Sequence, residues 1–229
     1  MIVDKLNKVI FIEIPKTGTS FIRHHLYDYQ SDDFFVGGVV DRRHASIREI
    51  SRACDLDPRD FDIHCFTRHP EDWLVSEFLE YTENQLKPYL NGSAGEKIRA
   101  YVEKRYGQCN GDPFDLNLHL KRFLTDDEYM HAASIQVRLG SLWKPFLQFD
   151  EKLDPDKIHI HKYEDFENSI EKLFTAFNKP VPSTKVRIHK TKVKKPLPNR
   201  RNRSLINKIY DSDFKQFGYK KRTVIALDD

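Results

Sequence analysis

Lys16, Thr17, Gly18, Thr19 and Ser20 put one cation, three hydroxyls and a glycine into a single short turn. The turn follows Val9 to Ile14, a nearly continuous apolar run that reads as a strand buried on both faces of a parallel sheet. It precedes Phe21 to Tyr29, where apolar residues recur at helical spacing. A strand, a hydroxyl-rich turn and a helix start make an anion site. Backbone N–H groups and the positive end of the helix dipole converge there. The order is not that of a Walker A loop, because the lysine precedes the only glycine, and this argues against an ATP or GTP hydrolase. His44 is a second residue able to do chemistry. It lies in a loop just ahead of a helix whose start is marked by Ser46 and Glu49, a capping-box pair.

The elements needed to position these residues alternate along the chain. Phe34 to Val36 suggests a short strand, and Ile47, Ile50 and Cys54 give one face of a helix. Phe61 to Thr67 alternates as a strand, followed by a helix with Pro70 in its first turn and Trp73, Leu74, Phe78 and Tyr81 buried. Lys157 to Lys162 is a further strand, in which His159 and His161 are expected to face solvent opposite Ile158 and Ile160. Phe166 to Phe177 and Ser204 to Phe217 carry helical stripes, the latter stopped by Gly218. Between residues 85 and 135 the pattern weakens into short helical pieces, which read as an insertion. Strands alternating with helices predict an α/β fold with a central, mainly parallel sheet flanked by helices. Ligands of such sheets bind at the carboxyl ends of strands, where Ser20, Arg68 and His44 all fall.

A second stretch, CFTRHPEDWLVSEF from Cys65 to Phe78, closes a strand with Arg68 and places Ser76 eight residues later on the next helix. Each alone would read as a surface residue. With PKTGTS upstream, the chain resembles the sulfotransferases, whose donor is 3′-phosphoadenosine 5′-phosphosulfate (PAPS). PKTGTS resembles their 5′-phosphosulfate loop, and Arg68 with Ser76 resembles their R-x-P-x-(D)-x-x-x-S motif for the 3′-phosphate. The Lys162-Tyr163-Glu164-Asp165 junction and YDSDFKQFGY resemble further segments of the family, read as structural, and RHASIREI resembles a segment of its short soluble members related to carbohydrate sulfotransferases. The resemblance covers both ends and the nucleotide core but not residues 85–135, and His69 stands where the family often has Asn or Asp.

The resemblance implies a P-loop-like three-layer fold in one domain over residues 1–229, with an acceptor-shaping insertion at about 85–135. It also implies transfer of a sulfuryl group from PAPS to a hydroxyl-bearing small molecule or glycan. Lys16 would neutralise the leaving phosphate. Thr17, Gly18, Thr19 and Ser20 would cradle the 5′-phosphate, and Arg68 and Ser76 would hold the 3′-phosphate. His44 is the candidate base, with His24 and Glu13 as substitutes. No metal and no nucleic acid is expected.

Composition agrees with a globular chain: 229 residues, 39% hydrophobic and 12% aromatic. No run approaches the roughly 20 apolar residues of a membrane span, and the N-terminus does not read as a signal peptide. Cys54, Cys65 and Cys109 have no metal-ligand spacing and suggest a reducing, cytoplasmic setting. Net charge is only +3, yet Lys185 to Arg203 carries nine Lys or Arg and no acid. It is either a solvated loop or a clamp for a polyanion. Two rival readings remain at this stage, a nucleotide kinase-like phosphotransferase and a non-catalytic nucleotide- or polyanion-binding module.

Overall fold

The computed structural model describes residues 1–38, 44–106, 111–126, 141–147, 152–184 and 195–223. Among these, β1 (Ile2–Asp4), β2 (Val9–Ile12), β3 (Phe34–Val36), β4 (Asp62–Thr67) and β5 (Ile158–Lys162) form one sheet in the order β3-β1-β2-β4-β5. The helices are α1 (Thr19–Leu26), α2 (Ile47–Cys54), α3 (Pro70–Tyr81), α4 (Lys87–Leu90) and α5 (Glu96–Tyr106). They continue with α6 (Leu116–Thr125), α7 (Lys144–Leu147), α8 (Phe166–Ala176), α9 (Arg200–Ile209) and α10 (Asp211–Gln216). None of them is long and apolar enough to cross a membrane.

The chain divides into two compact units, Met1–Arg68 with Trp143–Lys190, and His69–Leu142 with Thr191–Asp229. The first holds the sheet. β2, β4 and β5 pair in parallel, whereas β1 is antiparallel to both β2 and β3 and alone opposes the other four strands. The sheet is therefore mixed but mostly parallel. β1 is an addition to the sequence reading, which starts the sheet at Val9. Its hairpin to β2 is closed by the Asp4 carboxylate, which accepts from the backbone N–H of Leu6 at 3.1 Å and of Asn7 at 2.9 Å. β2 stops at Ile12 rather than Ile14. Val9, Phe11 and Phe66 pack with Phe21, Ile22 and Leu26 of α1 and Ile170, Leu173 and Phe174 of α8.

β5 corrects a sequence expectation. Ile160 is 37% exposed, while His161 is only 7% exposed and His64 of β4 only 5%. The parallel register sets His161 beside Phe66 and His159 beside His64. His161 Nε2 lies 2.9 Å from His64 Nδ1, and its ring is 5.2 Å from the Phe66 ring. An aromatic surface on β4 thus takes the imidazoles, and the edge strand turns Ile160 outward. Burial, then the neighbouring histidines, push His64 down to about 3. Burial, then His159 and Lys172, push His161 down to about 4.

The second unit is helical and contains the described parts of residues 85–135. Tyr81, Leu86 and Val102 form a small core against which Tyr89, Ile98 and Tyr101 pack, with the Tyr81 and Tyr101 rings edge-to-face. α3 runs through a π-helical turn, Thr82–Leu86, into α4. The long C-terminal helix expected over Ser204 to Phe217 breaks at Tyr210 into α9 and α10. The Asp213 carboxylate there accepts from Ser141 Oγ at 2.5 Å and from the Leu142 N–H at 2.7 Å. Met130 to Ala133, expected as a short helix, lies outside the described residues.

Candidate active site

Three loops meet the carboxyl ends of adjacent parallel strands in the first unit: Pro15 to Gly18 after β2, Arg68 after β4, and Tyr163 after β5. Lys16 sits in the turn with φ +63°, a left-handed conformation that costs a non-glycine residue about 1–2 kcal/mol. Arg68 meets this turn directly. Its guanidinium donates to the Lys16 carbonyl at 2.9 Å and stands 4.6 Å from the centroid of the Tyr163 ring. Arg68 is only 7% exposed, so both contacts are made away from bulk water.

Gly18 is required twice over. Its φ is +84°, and a Cβ there would stand 2.6 Å from the Phe166 ring and 3.1 Å from that of Tyr163. The loop therefore rides on the Tyr163–Phe166 pair, and Phe166 in turn packs on Phe21 and Phe66. Gly18 offers no side-chain cap to α1, and the first turn of α1 holds no acid, whereas its last turn holds Arg23, His24 and His25. That is the electrostatic arrangement of an anion-receiving helix start.

The hydroxyls of the turn do not all point one way. Thr17 is fully buried and donates from Oγ1 to the Ile14 carbonyl at 2.8 Å, so its hydroxyl closes the turn instead of facing outward. Thr19 is buried and Ser20 half-buried at the start of α1.

Glu13, immediately before the turn, joins several parts. Its carboxylate is buried and pairs with Arg23 of α1 and with the Met1 ammonium. Burial alone would raise its pKa, but those two cations outweigh it and hold it below the usual carboxylate value. Glu13 is thus a poor proton acceptor near neutrality, which removes it as a substitute base. Its backbone carbonyl accepts from His44, with Nδ1 at 2.6 Å. A carbonyl can only accept, so the neutral His44 ring carries its proton on Nδ1 and its lone pair on Nε2. Arg42 and Arg43, the neighbours of His44 in sequence, lie outside the described residues. His24 is exposed on α1.

Ser76 belongs to the second unit, half-buried on α3. At the start of that helix His69 Nε2 lies 3.1 Å from the Lys220 carbonyl, and its ring meets Phe214 and Tyr219 edge-on. Buried Glu71 is bridged by Arg203 at 2.9 Å and Arg222 at 2.8 Å. The last arginine of the basic stretch is therefore paired within its own unit. Residues 185–194 of that stretch, including Lys190, Lys192 and Lys194, lie outside the described residues, and Lys195 is exposed. Among the described residues no cluster of His, Cys, Asp and Glu could hold a metal.

Sequence reasoning treats Tyr163 as structural and does not connect it to Arg68. Joining the two requires knowing that β4 and β5 are neighbours in the sheet, which no local pattern carries.

A family model described as the sulfotransferase family matches residues 1–220. No curated protein and no solved structure matches the chain.

Proposed function

The chain belongs to the sulfotransferase family, and we propose that it moves a sulfuryl group from PAPS to a hydroxyl, on a carbohydrate or glycoconjugate. In this reading the sheet and helices are a P-loop-like three-layer fold. The observation that carries the reading is the meeting of Lys16, Gly18 and Arg68 at the ends of β2 and β4. The fit to a donor with phosphates at both ends rests on two cations, an acid-free helix start and a glycine that lets the backbone approach closely.

Lys16 would neutralise charge on the leaving phosphate, and the Gly18, Thr19 and Ser20 amides, with the Thr19 and Ser20 hydroxyls, would bind the 5′-phosphate. Thr17 would contribute by shaping the turn. The sequence motif assigns Arg68 and Ser76 to the 3′-phosphate. His44 would take the acceptor's hydroxyl proton on Nε2 as the acceptor oxygen bonds to sulfur. The bond from sulfur to the phosphate oxygen breaks in line, and adenosine 3′,5′-bisphosphate leaves. Positioning and charge stabilisation supply the rate, as in phosphoryl transfer. Residues 85–135 would shape the acceptor site. Buried Cys65, its thiol pushed up to about 12 by burial, and half-buried Cys54 are both free thiols, in keeping with a cytoplasmic setting.

The test is calorimetric and then chemical. Adenosine 3′,5′-bisphosphate should bind and raise the melting temperature more than 5′-AMP, and more than ATP with Mg²⁺. Labelled PAPS should then transfer its sulfuryl group to members of a glycan panel. Preference for ATP with Mg²⁺ would favour a phosphotransferase, and nucleotide binding without transfer to any acceptor would favour a binding module.

A further inference from the structure

Arg68 is placed by its motif at the 3′ end of the donor, yet its described hydrogen bond is to the other phosphate loop. One guanidinium N–H donates to the carbonyl of Lys16, 52 residues earlier in the chain. That carbonyl belongs to the residue whose left-handed backbone, φ +63°, turns the chain out of β2 toward α1. A lysine does not adopt this conformation by preference, so something outside the turn must hold it. Thr17 ties the turn from one side, through Ile14. Arg68 ties it from the other. The Tyr163 ring lies against the guanidinium at 4.6 Å and, 3.1 Å from where a Gly18 Cβ would be, against the same loop. One aromatic ring thus packs both on the latch and on what the latch holds.

We infer that Arg68 and Tyr163 are positioning residues for the 5′-phosphate loop: together they fix the left-handed turn at Lys16, so that Arg68 sets the geometry of one end of the donor while reading the other. Charge alone would not do this. The planar, delocalised guanidinium can donate in its plane to Lys16 while stacking through its face on Tyr163, which an ammonium cannot. The ring of Tyr163 is the part that matters, since the stacking uses its face and not its hydroxyl. The inference rests on the donor reading above for its functional consequence, but the latch itself is made by the protein's own residues.

The experiment has a ligand-free arm and a ligand arm. Amide hydrogen exchange at Thr17 to Ser20 is compared in the wild type, Arg68→Lys, Tyr163→Leu and Tyr163→Phe. Exchange should quicken at least tenfold in Arg68→Lys and Tyr163→Leu, and stay within about twofold of wild type in Tyr163→Phe. Amides of β1 and β3 report global stability and should not follow. In the ligand arm, binding of 5′-AMP, which has no 3′-phosphate, should weaken at least fivefold in Arg68→Lys and Tyr163→Leu. With saturating acceptor, Tyr163→Leu should lower kcat more than it raises KM for PAPS, with Tyr163→Phe restoring both. Unchanged exchange in Arg68→Lys and Tyr163→Leu would overturn the latch. So would unchanged 5′-AMP affinity alongside weakened binding of the bisphosphate, because Arg68 would then read only the 3′-phosphate. Failure of every nucleotide to bind the wild type would instead sink the donor reading, while the exchange arm still decides the latch.

Discussion

The sequence offers His44 as the base with Glu13 as a substitute, and the structure separates them by what each is bonded to. His44 is held by one nitrogen on a backbone carbonyl, so the neutral ring carries its lone pair on the other. Glu13 is held by its carboxylate, between cations and out of water. His44→Ala should therefore lower turnover by about 10²–10⁴, the usual range for a lost general base, with nucleotide affinity nearly unchanged. Glu13→Gln should do the opposite. It leaves the buried Met1 ammonium and the half-buried Arg23 guanidinium without their counter-charge, which costs up to about 3–5 kcal/mol, while the carbonyl that orients His44 remains. Calorimetry and steady-state kinetics on the two variants check this, and a turnover loss in Glu13→Gln at unchanged melting temperature would reverse the roles. At this scale the sequence was informative where a residue type has few uses. A glycine after a lysine at a strand-to-helix turn signals a left-handed, closely approached backbone. Tyr163 was not legible, because its partner lies on a neighbouring strand and the strand order is not written in local pattern. The inward turn of Thr17 was hidden for a similar reason, since any of three hydroxyls could have closed the turn.

Among the elements, β5 shows what alternation can and cannot tell. KIHIHK marks a strand plainly. Which of its faces is buried depends on β4, and β4 offers His64 and Phe66, so His161 goes in and Ile160 goes out. This has a measurable consequence in acid. The folded values of His64 and His161, about 3 and about 4, lie below the ordinary 6.5. From 6.5 downward the unfolded chain therefore binds more protons, and stability falls as pH falls through that window. Each histidine contributes up to about 1.4 kcal/mol per pH unit. His159, 4.5 Å from His64 between ring centroids, and Lys172 of α8 add positive charge around the pair and work in the same direction. Asp213 opposes them from the second unit. Burial raises its carboxyl to about 6, so the folded form holds a proton that the unfolded form releases, and its share of stability falls as pH rises between 3.8 and about 6. Two histidines against one carboxyl leave the acid-labile sign in place. Urea titrations from pH 7 to pH 4 should show it, and His161→Gln should make the acid limb shallower by roughly 1 kcal/mol per pH unit. An equally steep limb in the variant would mean that the pair is not the source. β1 was missed for a different reason: Ile2 and Val3 are an apolar run of only two residues, and pairing with β2 and β3 is what makes them a strand.

At the scale of the whole chain, the sequence suggests a single domain with an insertion, and local pattern carries no information on which distant segments share a core. The first unit is built from two separated stretches. Its sheet takes β1 to β4 from Met1–Arg68 and β5 from Trp143–Lys190, and the second unit is likewise assembled from two pieces. The returning stretch supplies more than an edge strand to the first unit. Ile170, Leu173, Phe174 and Phe177 complete the core over β2, and Trp143 Nε1 donates to the Phe66 carbonyl at 3.2 Å. Tyr163 and Phe166, the surface under the Lys16 loop, arrive with it. Burying one such large side chain is worth about 1.5–3 kcal/mol, so losing this set is comparable to the 5–15 kcal/mol that an ordinary domain has in total. A chain ended at Leu142 keeps PKTGTS, His44, Arg68 and Ser76, all the catalytic and donor-binding candidates read from the sequence. It should nonetheless show no cooperative unfolding transition and no binding of adenosine 3′,5′-bisphosphate. Co-expression with residues 143–229 should restore both if the pieces can find each other. A shortened chain that melts cooperatively and binds the nucleotide would show that β5 and α8 are dispensable, and that the motifs position themselves without the surface they rest on here.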